Sequence, residues 1–152
     1  MDAPERDRRI CALIHAAMLV SVAVYGGVVA FYRLTVAPDA TPPPRLEVIF
    51  AALAALSVVQ LAGAALGARA ILRSGRGEPS GRIRASFLLR AAAAEGIAIY
   101  AFALGFLGAP ASRVLVLFGL GIASLAACAP GRAAWARAAR AAGAGPEAVA
   151  PR

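Results

Sequence analysis

Residues 85–108 read ASFLLRAAAAEGIAIYAFALGFLG, an apolar run that contains the single acidic residue Glu95. A helix rises ~1.5 Å per residue, so this run is long enough to cross the ~30 Å hydrocarbon core of a bilayer. A charged side chain is costly at that depth, which makes an intramembrane carboxylate a candidate functional residue. The run therefore predicts a membrane-spanning helix that carries a buried polar site.

Three further apolar runs cover residues 10–32, 48–68 and 114–130. The chain is 61% hydrophobic and 16% charged, with a mean hydropathy of +0.72, which is far from the composition of a soluble domain. We predict an all-α fold, an integral membrane bundle of four transmembrane helices. Arginines precede the first run as in a signal peptide, but the run is about twice a typical h-region, so we expect it to be retained.

The arginines predict the orientation of the chain. All 16 basic residues are Arg, and 13 of them lie at the termini or around the central loop. Only Arg33, Arg45 and Arg113 lie near the other two connections. Because arginine-rich loops stay on the cytoplasmic side, we expect both termini and the central loop to be cytoplasmic in a multi-pass protein of the bacterial inner membrane.

The net charge of +8 indicates the kind of surface that the protein contacts. It favours attraction to a bilayer with anionic lipids, and the arginines lack the interleaved aromatic residues that binding of single-stranded nucleic acid requires. After the four-helix domain of residues 1–130, the segment 131–152 contains three arginines on one side of a helical wheel and Trp135 away from them. We expect a basic helix in the headgroup layer, followed by a disordered tail.

An internal repeat is indicated when the chain is shifted by 75 residues, which aligns seven identities between the first and third runs. Ala and Leu match often by chance, so three other pairs carry most of the weight: Arg9 with Arg84, Tyr25 with Tyr100, and Phe31 with Phe106. The repeat predicts two tandem helical hairpins. Glu95 aligns with Val20, so the carboxylate belongs to one repeat only.

Two polar residues are expected at similar depths. Counted from the cytoplasmic ends of their helices, Glu95 lies ~15 Å and Gln60 ~12 Å into the membrane. Gly63 and Gly67 share the Gln60 face and form a GxxxG step that allows close helix packing. The pair predicts either a proton or cation site or a structural hydrogen bond between helices.

Two further residues are candidates for a relay or an electrostatic role. Arg90 precedes Glu95 by five residues and is rotated from it by ~140°, so a contact between them requires a neighbouring helix or subunit. Otherwise Arg90 is expected to reach the headgroups. His15 lies on the first helix at the depth of Arg90. It is either a proton relay or, as is more common for a lone His near a helix end, a hydrogen-bonded interfacial residue.

An enzyme is not expected, because the sequence offers no constellation of nucleophile, base and orienting group. Neither Cys11 nor Cys128 is accompanied in sequence by the further ligands that a metal needs. We therefore predict no catalytic residue, no metal and no cofactor.

The string from Ala94 to Tyr100, AEGIAIY, resembles the carboxylate segment of the ring-forming c subunits, or proteolipids, of rotary ATP synthases. In that family the ion-carrying Glu is followed by a similar aliphatic and Ile-Tyr pattern, and sodium-carrying members place a coordinating Gln where Gln60 stands. The resemblance covers roughly residues 60–106 and implies ion binding at Glu95 and Gln60. Over its whole length the chain is also similar to small four-span bacterial membrane proteins with an Arg and an Ala-Glu pair in the third span.

These observations favour a proton or cation site at Glu95, in a homo-oligomer or a subunit of a membrane complex. One alternative is a scaffold or assembly protein in which Glu95 and Gln60 only fix helix packing. A second alternative is a small proton-coupled exporter with Glu95 in a water-accessible cavity.

Overall fold

The computed structural model describes residues 3–37 and 41–143, and over these ranges it contains helices and no strand. A π-helical turn, Tyr32–Val36, follows the first helix. The α-helices are α1 Ala3–Phe31, α2 Leu46–Arg73, α3 Pro79–Phe106, α4 Ala111–Ala127 and α5 Arg132–Ala141. The all-α prediction is confirmed, whereas the tail beyond residue 143, expected to be disordered, lies outside the described residues.

The apolar runs correspond to α1, α2, α3 and α4. The first three helices are each long and apolar enough to cross a membrane. Helix α4 has 17 residues and meets the same criterion only together with α5, from which it is bent by 70°. Helices α1 and α3 begin before their apolar runs, and α3 begins at Pro79, whose fixed φ and missing N–H suit the first turn of a helix.

Helix α3 occupies the centre of the bundle. It packs against α1, α2 and α4, while α1 and α2 make little direct contact. Its fully buried residues are mostly small or aliphatic, namely Ala94, Ile97, Ala98, Ala101 and Leu104. Two helical hairpins were predicted, and only the second, α3 with α4, is a packed pair. Helices α1 and α2 do not pack on each other, because each of them packs on its own face of α3.

Glycines allow α1 and α4 to approach α3 closely. The side chain of Val29 on α1 fills the space that a Cβ would need at Gly105 on α3. On α4, a Cβ at Gly121 would lie 3.2 Å from the carbonyl oxygen of Ala94 and 3.3 Å from the amide nitrogen of Ala98. The backbones of α3 and α4 therefore approach each other at a point where only glycine fits without displacement.

Helix α5 packs onto the arginine-rich end of the bundle, where α1 begins and α2 joins α3. The rings of Trp135 and Phe87 stack with centroids 5.5 Å apart, and Trp135 is only 6% exposed. Arg82 donates hydrogen bonds to the carbonyl oxygens of Leu72 (2.8 Å) and Ala142 (2.9 Å). The predicted basic helix is thus present, but its Trp135 face covers the bundle while its arginines are exposed.

We predict that Gly121→Val lowers the free energy of unfolding by about 1–3 kcal/mol, because the new side chain overpacks the α3–α4 contact. Gly119→Val is the matched control on the same helix, since a Cβ at Gly119 would have no described residue within 4 Å. Thermal unfolding in detergent measures both variants. Equal stability of the two variants would contradict the close α3–α4 approach.

Candidate functional site

Glu95 lies in the middle of α3 and contacts Ser21 of α1. The Ser21 hydroxyl is within hydrogen-bonding distance of Glu95 Oε1 and also lies 2.9 Å from the carbonyl oxygen of Met18. Both side chains are partly buried. Ser21 was not among the predicted site residues, although it follows Ile10 by eleven residues and so lies ~16 Å along α1, close to the expected depth of Glu95.

The Ser21 hydroxyl can serve Glu95 in two ways. It carries one proton to donate and two lone pairs that accept, whereas the Met18 carbonyl can only accept. When the carboxyl group is ionised, Ser21 donates its proton to Glu95. When the carboxyl group is neutral, it donates to the Ser21 oxygen while Ser21 donates to Met18. The contact therefore has a hydrogen-bonded arrangement for each protonation state of Glu95.

Gln60 of α2 is bound beside Glu95 and not to it. Its Nε2 donates to the carbonyl oxygen of Ala93 (2.9 Å), and the Tyr100 hydroxyl donates to its Oε1 (2.6 Å). Gly96 makes this possible, because a Cβ there would overlap Gln60 Nε2. Consecutive residues of a helix point ~100° apart, so Glu95 faces α1 while Gly96 faces α2. The expected pairing of Glu95 with Gln60 is replaced by two separate contacts on neighbouring faces of α3.

The two glycines predicted to aid packing differ from each other. A Cβ at Gly67 would lie 3.0 Å from Leu89 Cδ2 of α3, so this glycine does face the helix interface. A Cβ at Gly63 would have nothing within 4 Å among the described residues. The GxxxG step therefore brings α2 close to α3 at Gly67 only.

His15 of α1 faces α3 and the end of α4, and Ala91, one turn of α3 before Glu95, lines the same small cavity. His15 is 7% exposed and lines this cavity together with Cys11 and Cys128, both of which are free thiols. Its Nε2 has no hydrogen-bond partner among the described residues. Since Ser21 follows His15 by six residues, the two lie ~9 Å apart along α1, so a relay between His15 and Glu95 would need an intermediate carrier.

Arg90 is exposed and makes no hydrogen bond or ion pair with any residue that the structure describes. Its predicted separation from Glu95 on the helical wheel is consistent with this placement. Within residues 3–37 and 41–143, no group of three His, Cys, Asp or Glu side chains is arranged to hold a metal ion. Glu95 is the acidic residue near the centre of α3.

A comparison with known proteins found no matching family model, no matching curated protein and no matching solved structure. The role of Glu95 is therefore inferred from its geometry and chemistry.

We predict that Gly96→Ala displaces the Gln60 amide and weakens the α2–α3 contact, with a loss of about 1 kcal/mol or more in the free energy of unfolding. Gly63→Ala places the same methyl group at an open position of α2 and serves as the control, with equal or higher stability expected. Thermal unfolding in detergent distinguishes them. A Gly96→Ala protein as stable as Gly63→Ala would contradict the Gln60 placement.

Proposed function

We propose that this chain is a multi-pass protein of a bacterial inner membrane, with both termini and the α2–α3 loop in the cytoplasm. Its three or four sufficiently apolar helices support membrane insertion. The concentration of arginines at one end of the bundle supports the orientation, because arginine-rich segments remain cytoplasmic. In this placement Glu95 and Ser21 lie near the middle of the bilayer.

We further propose that Glu95 reversibly binds a proton, or a small cation in its place. The observation that carries this proposal is the double contact of Ser21 with Glu95 Oε1 and the Met18 carbonyl. A fixed structural hydrogen bond needs one donor and one acceptor only, whereas Ser21 can reverse its role when Glu95 gains or loses a proton. Such a partner lowers the cost of both states in an apolar environment, where an unpaired polar group is expensive.

The surroundings of Glu95 favour a proton over a cation. A cation would find the two carboxylate oxygens and the Ser21 hydroxyl, which are fewer ligands than hard cations usually take. Gln60 would have to leave Tyr100 or Ala93 to contribute further. A proton needs one oxygen and no rearrangement of Gln60, to which we assign the role of holding α2 on α3.

The scaffold alternative has its own support in the Gln60 contacts. Tyr100 and Ala93 use both ends of the Gln60 amide to join α2 to α3, and the Ser21–Glu95 contact joins α1 to α3 in the same way. In this alternative Glu95 keeps one protonation state throughout, and Glu95→Gln retains the fold and every transport property.

Carbodiimide labelling of the purified protein in lipid vesicles tests the proposal, because the reagent modifies protonated carboxyl groups in apolar surroundings. We expect labelling of Glu95 that falls as the pH is raised and that disappears in Glu95→Gln. Protection by sodium at constant pH would identify a cation as the ligand, and its absence would identify a proton. A Glu95 that resists labelling at every pH, in the wild type and in Arg90→Gln alike, would support the scaffold and reject the proposal.

A second prediction concerns Ser21. Hydrogen bonds to charged groups contribute ~1.5–3 kcal/mol and those between neutral groups ~0.5–1.5 kcal/mol, so Ser21 should support the ionised carboxylate over the neutral one by about 1 kcal/mol. Because 1.36 kcal/mol corresponds to one pH unit, Ser21→Ala should raise the pH of half-maximal labelling by roughly half a unit to one unit. Ser57→Ala is the control, because Ser57 is fully buried on α2 and, among the described residues, donates a hydrogen bond only to the Leu53 carbonyl oxygen (2.7 Å). An unchanged midpoint in Ser21→Ala would show that Ser21 has no part in proton uptake.

A further inference from the structure

One face of α3 is uncovered between α1 and α2. Ala92, Ile99 and Ala103 are exposed along it, and Ile99 retains 46% of its accessible surface. We call these three residues the open strip. On the helical wheel the strip lies between Glu95, which contacts α1, and Gly96, which adjoins Gln60 of α2. It is open because α1 and α2 scarcely touch each other.

The open strip leaves Glu95 incompletely satisfied. Glu95 is partly exposed at the strip's edge, and while Oε1 contacts Ser21, Oε2 has no hydrogen bond with any described residue. Ionisable residues within a membrane almost always face a bundle interior or pair with one another. In the proposed membrane placement, an unpaired carboxylate oxygen at this depth points to another protein surface as the source of its partner.

Arg90 is a positive charge that also lacks a partner among the described residues. It is an exposed cation within the same apolar run, without a hydrogen bond or ion pair to the part of the chain that the structure describes. It lies ~7.5 Å along α3 from Glu95 and ~140° around the helix, so the two charges occupy different outer faces of one chain. The long and flexible Arg side chain can cover much of such an axial separation.

We propose that a second copy of this chain covers the open strip and places its Arg90 against Glu95. A single contact then pairs both charges, which have no such partner within residues 3–37 and 41–143 of their own chain. Because the two charges lie on different faces, the contact is heterologous, and repeating it gives a closed ring or an open array instead of a two-fold dimer. The inference rests on the proposed membrane placement but not on proton uptake by Glu95. Since a neighbouring guanidinium favours the ionised carboxylate, the pairing predicts that Arg90→Gln increases the labelling of Glu95.

Charge variants test the pairing, with oligomeric state read by native mass spectrometry from mild detergent. We expect an oligomer for the wild type, and at least tenfold weaker association for Glu95→Gln and for Arg90→Gln. The double variant should be no weaker than either single variant, and exchanging the charges with Glu95→Arg and Arg90→Glu should restore most of the association. Arg69→Gln, at an exposed arginine of α2, is the control and should behave as the wild type.

A photo-reactive residue tests the position of the contact without removing a charge. Placed at Ile99, 46% exposed in the open strip, it should cross-link a second copy. A monomeric wild type, or Arg90→Gln that assembles normally, would overturn the inference. A monomer that still shows pH-dependent labelling of Glu95 would overturn the inference and leave the proton site standing.

Discussion

Close packing around α3 is the constraint on which the rest of the structure depends. Three helices approach this one helix, and its alanines and glycines leave the space that they need. Val29 enters the space beside Gly105, and Gly121 lies against the α3 backbone at Ala94. Dispersion contacts are individually weak but numerous in such packing, so a bundle without long apolar side chains at these positions can still be well packed.

The same packing separates the two polar contacts of the site. Glu95 and Gly96 are consecutive, yet one faces α1 and the other faces α2. Ser21 therefore becomes the partner of Glu95, while Gln60 reaches past Gly96 to Ala93 and Tyr100. In the proposed function, this division leaves the Glu95–Ser21 pair to gain and lose a proton, while Gln60 holds α2 on α3.

The sequence was sufficient for the number, type and approximate limits of the helices, because apolar runs of the required length have few alternatives. It also indicated Glu95 as a candidate functional residue, since a carboxylate in such a run is rare. It did not identify Ser21, because a single hydroxyl hardly changes the hydropathy of α1. Nor could it exclude a Glu95–Gln60 pair, because depth alone does not define how each helix is rotated.

The sequence also did not predict which glycines lie at helix contacts. The GxxxG pattern pointed to Gly63 and Gly67, yet only Gly67 faces a neighbouring helix, and the closest approaches occur at Gly96, Gly105 and Gly121. A glycine matters where another helix lies opposite, and that depends on the assembled bundle. The position of Trp135 against Phe87 likewise follows from the turn between α4 and α5, which the wheel of α5 alone does not specify.

Infrared difference spectroscopy of the protein in lipid, between acidic and alkaline pH, tests most directly whether the proton of Glu95 moves. A carbonyl band of a protonated carboxyl group should be present at acidic pH and lost at alkaline pH, and it should be missing in Glu95→Gln. Ser21→Ala should displace the band, and Ser57→Ala should not. Identical spectra for the wild type and Glu95→Gln at every pH would contradict the proposed proton site.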